Sequence, residues 1–197
     1  MKIFIFVGHP SSTGLSTAMA DAYAAAAQAE GAEVRRQNLA EMDFDPNLQE
    51  GYRARMELEP CLEEWRENIL WANHLAWFYP IWWGGMPAKM KGVLDRAFLP
   101  GFAMTYHEKD PFWDRLLKGR SAEVFHTAHS PAFWERWVYG RPAAKQVRKL
   151  VLEFAGIQPV TIRHFGSTRN LKPAKAKQWV AAAEKAGAKQ ASRQKKT

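Results

Sequence analysis

The chain has 197 residues, enough for one well-buried α/β domain and short for two. Its 47% hydrophobic and 24% charged residues are ordinary for a globular protein, and no run of roughly 18 apolar residues marks a membrane span. A single cysteine, Cys61, excludes an internal disulfide and suits a reducing cytoplasm, and much of the net charge of +8 sits in Lys185, Lys189, Arg193, Lys195 and Lys196. Residues 188–197 therefore read as a basic, disordered tail. No reader module and no basic patch interleaved with aromatics argues for nucleic acid. Net positive charge does favour encounter with anionic small molecules such as phosphorylated nucleotides.

Residues 3–7 are continuously apolar, the pattern of a parallel strand buried on both faces, and the run breaks too early, at Gly8-His9-Pro10, for a secretory leader. Leu15, Ala18, Met19, Ala22, Tyr23 and Ala26 then recur at helical spacing as far as Gly31, a helix stop. A more polar strand is expected over 33–39, near a sheet edge, and 42–55 has no period and reads as an irregular loop. Leu62, Trp65, Ile69 and Ala72 mark the next helix, followed by a third strand over 74–79 that breaks at Pro80. Pro87 opens a helix carrying Met90, Val93, Leu94, Ala97 and Phe98 on one side, and Pro100 ends it. The fourth strand is predicted over 122–127. After Pro142 comes a helix with Val147, Leu150, Val151 and Phe154 on one face, stopped at Gly156. A fifth strand spans 160–165, and Ala176, Trp179, Val180 and Ala183 define the last helix. This alternation predicts one domain over 1–187, an α/β doubly wound parallel sheet with helices on both faces.

In such sheets ligands bind beyond the carboxyl ends of the strands, where the connections change sides. For five strands in the order 2-1-3-4-5, that point lies between strands one and three, and so between loops 8–16 and 80–87. The first loop, Gly8-His9-Pro10-Ser11-Ser12-Thr13-Gly14-Leu15-Ser16, offers hydroxyls, amides and a positive helix end to a phosphate. An ordinary Ser or Thr N-cap is the plainer alternative. It matches neither the triphosphate loop nor the dinucleotide fingerprint. The second loop, Tyr79-Pro80-Ile81-Trp82-Trp83-Gly84-Gly85-Met86-Pro87, pairs glycines that allow close approach with indoles that can stack on a flat ligand. Adjacent residues of an extended segment point oppositely, so both tryptophans cannot be core together unless the chain turns, and one of them is expected to wall a pocket. His126 and His129 do not read as a metal pair, because no Cys or carboxylate completes a set. His164 reads as a satisfied strand histidine, and no serine-hydrolase elbow is present.

Three blocks together resemble the NAD(P)H:quinone oxidoreductase family, over the chain to about Gly187. They are His9-Pro10-x-x-Thr13 with Ser16; the run from Pro80 through Trp82-Trp83-Gly84-Gly85-Met86-Pro87 to Met90-Lys91-Gly92; and Arg96-Ala97-Phe98 followed by Gly101-Phe102-Ala103-x-Thr105-Tyr106. The resemblance implies a flavodoxin-like fold, a cytoplasmic homodimer, a tightly held flavin, and ping-pong hydride transfer from NADH or NADPH to a quinone-like acceptor. It places His9, Thr13, Gly14, Leu15 and Ser16 at the flavin's phosphate and ribityl chain. Pro80, Ile81, Trp82, Trp83 and Gly84 fall along the isoalloxazine, with Thr127 and His129 on its other side. Two departures matter. The family's Tyr and His beside the flavin are replaced in ungapped register by Trp134 and Gly140, so no catalytic proton donor is assigned. Gly101 replaces an acidic residue that some FAD-binding relatives carry near the adenine, which favours FMN, with FAD the alternative. The segment Phe133-Trp134-Glu135-Arg136-Trp137-Val138-Tyr139 is expected to line the acceptor pocket or the dimer seam. Two other roles keep the same flavin: a redox-sensing regulatory subunit of a membrane transporter, and a flavodoxin-type electron carrier. The positive charge argues against the carrier.

Overall fold

A computed structural model describes residues 1–193 of the chain. In chain order its first elements are β1 (Lys2–Val7), α1 (Leu15–Ala29), β2 (Glu33–Asn38), α2 (Pro60–Trp71), β3 (His74–Pro80) and α3 (Ala88–Ala97). A small antiparallel hairpin follows, β4 (Met104–Tyr106) with β5 (Trp113–Arg115). Then come β6 (Ser121–Thr127), α4 (Ala132–Trp137), α5 (Pro142–Lys145), β7 (Val160–Phe165) and α6 (Pro173–Ser192). The main sheet is fully parallel with order β2-β1-β3-β6-β7, which is 2-1-3-4-5 when the hairpin strands are not counted.

The strand sequences explain this order. In β1, Ile3, Ile5 and Val7 face one helical layer and Phe4 and Phe6 the other, all buried, as a central strand requires. β2 alternates exposed and shielded polar residues and takes an edge. The first layer is α1 with α6, packed on Ile3, Ile5, Ala76, Phe78 and Phe125. These two helices cross so closely that a Cβ on Gly187 would meet the Tyr23 carbonyl oxygen at 2.3 Å. The second layer, α2, α3 and the segment from α5 onward, covers Phe4, Phe6, Trp77, Tyr79 and Val124.

The aperiodic stretch near residue 45 is ordered by one buried cation. Arg96 of α3 is 1% exposed, ion-pairs with Glu59 at 2.8 Å, and donates to the carbonyl oxygens of Asp45 and Glu57. Burial opposes ionisation of Glu59, but backbone N–H groups and Arg96 outweigh it and hold the carboxyl below its ordinary range.

Three features differ from expectation. The hairpin and α4 are too short to show a period. After α5 the chain winds as a π-helix over Gln146–Leu152. Its i→i+5 winding brings residues five apart onto one face. Val147 and Leu152 are therefore fully buried, while Leu150, expected on the apolar face, is 70% exposed. Finally, α6 continues to Ser192, into the stretch expected to be a tail, and residues 194–197 lie outside the described residues. No helix among the described residues is long and apolar enough to cross a membrane.

Candidate active site

An open cleft of about 720 Å³ lies beyond the carboxyl ends of β3, β6 and β7. That volume is within the range of small-molecule sites. Pro80, Ile81, Trp82, Trp83 and Gly84 form one wall, and Thr127 and His129 belong to the other. Both groups were singled out in the sequence, and the fold brings them together because β3 and β6 pair in register, Pro80 opposite Thr127. Glu135 and Tyr139, from the aromatic segment expected at the acceptor pocket or the dimer seam, also line the cleft, and the structure adds Ser130 and Thr168. Glu135, though only 5% exposed, reaches the cleft from α4 and accepts a hydrogen bond from the Ser130 hydroxyl at 3.1 Å. The unusual aromatic content around Glu135 was the available signal for this wall.

The wall after β3 is a tight turn. Trp82 N–H donates to the Gly85 carbonyl and Gly85 N–H to the Trp82 carbonyl, both at 3.0 Å. Trp83 and Gly84 between them have φ of +50 and +77, the two positive values of a type I′ turn. Glycine accepts this freely, whereas a tryptophan there stores about 1–3 kcal/mol of strain. Trp83 is fully exposed, and Trp82, 45% exposed, sets its ring edge-on to His9 with centroids 5.8 Å apart. Both indoles are thus outside the core. An extended segment would leave one of them outside; the chain turns here, and the turn exposes both. The turn also sorts the backbone donors. Ile81 N–H is engaged by the Thr127 carbonyl at 2.7 Å and Trp82 N–H by Gly85, leaving the amides of Trp83 and Gly84 without partners among the described residues.

The loop after β1 is built differently. Gly8 N–H bonds the Phe78 carbonyl at 2.8 Å, and a Cβ at Gly8 would meet the Met90 sulfur at 2.3 Å. Beyond it the loop folds on itself: Ser11 N–H donates to His9 Nδ1 at 2.9 Å, and the Ser11 and Thr13 hydroxyls approach to 3.4 Å. Gly14, at φ +136, occupies the N-cap of α1 and no side chain caps the helix. The amides of that first turn are therefore not claimed by Ser or Thr, contrary to the ordinary N-cap alternative. Ser16 is buried in the same turn. Thr13, Gly14, Leu15 and Ser16 do not line the cleft. Gly14 and Leu15 instead border a shallow apolar groove against α6, and His9 links loop to cleft through Trp82. The cleft accordingly sits over β3, β6 and β7, shifted from the expected gap between the first and third strands, and the His9–Trp82 contact stands between it and the loop after β1.

A polar row runs beneath the cleft. Tyr79 and His126, both fully buried, share a hydrogen bond of 2.7 Å between the phenol oxygen and Nε2, and His164 of β7 stands opposite His126. Burial, helped by the nearby His164, lowers the His126 pKa to about 3, and burial raises that of Tyr79. His126 Nδ1 and His164 Nε2 have no partner, so the expected satisfied state of His164 is corrected for its Nε2. His126 and His129, close in sequence, go to different places: one into this row, the other into the cleft.

Comparison with known proteins gives three findings. A family model described as a flavodoxin-like fold matches residues 1–190. An uncharacterised NAD(P)H oxidoreductase of Haemophilus influenzae is 33% identical over 134 residues, covering 66% of this chain and 65% of that protein. NAD(P)H dehydrogenase (quinone) 1 of Cavia porcellus is 28% identical over 137 residues, 58% of this chain and 50% of its own length. The chain thus spans half to just under two thirds of these curated relatives. The solved NAD(P)H:quinone oxidoreductase of Methanothermobacter marburgensis superposes with a TM-score of 0.79 at 25% identity, covering 95% of this chain and 98% of that one.

Proposed function

The chain belongs to the NAD(P)H:quinone oxidoreductase family of flavodoxin-like proteins, and from that premise we propose that it is a flavin-dependent NAD(P)H reductase of quinone-like acceptors. The observation that carries this reading is the cleft wall itself. Two indoles and two unpartnered amides are presented by a strained, hydrogen-bonded turn, which His9 joins through Trp82 to the loop leading into the uncapped start of α1.

The residues present fit a flavin. The exposed faces of Trp82 and Trp83 suit a flat ring system, and the Trp83 and Gly84 amides suit its carbonyl and nitrogen edge. The first-turn amides of α1, with Thr13 and Ser16, suit its phosphate. We take the flavin to be FMN rather than FAD, since Gly101 offers no acidic side chain to an adenine. A bound flavin would supply two-electron redox chemistry between NADH or NADPH and the acceptor, in the ping-pong order proposed for the family. The protein's share is orientation and electrostatics. The turn fixes the Trp83 and Gly84 amides before any ligand arrives, and such preorganised dipoles favour negative charge developing nearby. Thr127 and His129 face that wall from across the cleft, and His129 and Tyr139 bring exchangeable protons to the side where an acceptor would enter.

The exposed rings of Phe133, Trp134, Trp137 and Tyr139 form an aromatic surface suited to a second copy of this chain, which supports a homodimer. The experiment that tests the activity is anaerobic. Yellow purified protein should be bleached by NADH or NADPH and recoloured by a quinone. Flavin-loaded protein that neither nucleotide bleaches contradicts the reductase reading.

A further inference from the structure

Behind the first cleft lies a second, of about 530 Å³, separated from it by the shared residues Ile81 and Glu135. Its composition is unlike that of its neighbour. His126, Ile162 and His164 belong to the sheet, and Arg141, Lys145, Arg148 and Lys149 come from α5 and its flanks, with Glu135 the only carboxylate in the lining. Arg148 is engaged by Glu153 at 2.6 Å. Arg141, Lys145 and Lys149 have no ion-pair partner among the described residues. Three cations without ion pairs face a single carboxylate here, so the cavity keeps an excess of positive charge that an anion would offset.

Two further observations point the same way. His126 is fully buried yet leaves Nδ1 unpartnered, and its neighbour His164 leaves Nε2 unpartnered. A buried polar atom without a partner costs about 1–3 kcal/mol, and the two histidines that carry these atoms both belong to the lining of this cavity. The backbone here is also unusual. Arg141 takes a left-handed conformation, φ +57 and ψ +54, at the N-cap of α5, and Arg148 and Lys149 ride on the π-helical turn. Strained residues and π-turns of this kind gather at functional sites.

We propose that this second cleft is a phosphate-binding site, in which Lys145, Lys149 and Arg141 meet the charge and the two imidazoles complete the hydrogen bonding. Ile81 and Glu135 line both clefts, and that adjacency makes the phosphate group of a nucleotide seated in the first cleft the natural occupant. For the reductase that group is the additional phosphate distinguishing NADPH from NADH. Only this choice of carrier rests on the reductase reading; the site itself does not.

The test is calorimetric titration of the full chain with inorganic phosphate and with adenosine 2′,5′-bisphosphate, in parallel with a Lys145→Gln/Lys149→Gln double variant. Both lysines are exposed, so the fold is expected to survive. Saturable binding to the wild type, weakened at least about tenfold in the variant, is the expected result. No saturable binding to the wild type, or equal affinity in both proteins, overturns the site. The carrier is decided by kcat/KM for the two nucleotides. If NADPH supplies the phosphate, its preference over NADH falls about tenfold in the variant. An unchanged preference alongside lost phosphate binding keeps the site and assigns it to another phosphorylated molecule. Absence of reduction by either nucleotide removes the reductase reading, and the calorimetry still decides the site.

Discussion

On the α1–α6 side of the sheet, β3 sets Phe78 against Phe125 of β6 with ring centroids 4.3 Å apart, and Phe165 of β7 continues the stack. One residue along the same strands, on the other side, stand Tyr79, His126 and His164. The first set is an apolar ladder that needs only close packing. The second keeps hydrogen-bonding capacity underneath two clefts, held neutral by burial. The contrast is confined to the carboxyl ends of these three strands, where period-2 alternation sets three stacked rings on one face and three hydrogen-bonding side chains on the other. Mutations one residue apart should therefore have unlike consequences.

The largest effect is expected from Phe125→Ala, which removes the middle ring of the ladder. It should lower unfolding free energy by about 3–5 kcal/mol in urea titrations and leave the polar face intact. A loss below about 1 kcal/mol would show that the ladder is not a stabilising unit.

Acid comes next. His126 and His74 both have folded pKa values near 3, lowered first by burial. The unfolded chain binds their protons from about pH 6.5 downward and the folded chain does not, so stability falls as pH drops from 6.5 towards 3. A His126→Gln variant should lose up to about 1.4 kcal/mol per pH unit of that slope. Urea midpoints measured from pH 7 to 4.5 give the comparison, and an unaltered slope would mean that His126 is not held neutral.

Tyr79→Phe keeps the ring and removes only the hydroxyl that meets His126. A cost of about 1–3 kcal/mol is expected from the stranded imidazole nitrogen, again by urea titration. Trp83→Gly has the smallest effect on stability, within about 1 kcal/mol, because relief of the positive φ offsets the added backbone freedom. Its signature is functional: acceptor KM should rise more than flavin affinity falls.

Much of this arrangement is legible from local sequence. The apolar run of residues 3–7, the glycine stops and the two unusual loops locate the strands and place both loops at the carboxyl edge, since each signal is carried by neighbouring residues. Other features depend on distant partners. Tyr79 and His126 are 47 residues apart and meet only through the pairing of β3 with β6. Arg96 orders a loop some 50 residues earlier in the chain. The π-winding after α5 shows only once Val147 and Leu152 have a core to face, which is why Leu150 was misplaced. The tryptophan loop is instructive in another way: its residues pointed to a pocket wall, and alternation alone left open whether the chain turns there.

The central claim is that the cleft over β3, β6 and β7, served by the start of α1, holds a flavin. The most direct measurement is titration of FMN and FAD into flavin-free protein, followed by tryptophan emission, for the wild type and a Thr13→Ala/Ser16→Ala variant. Saturable quenching at one flavin per chain, tighter for FMN, and markedly weaker binding in the variant are the expected results. Absence of quenching by either flavin, or identical affinities in the two proteins, would contradict it.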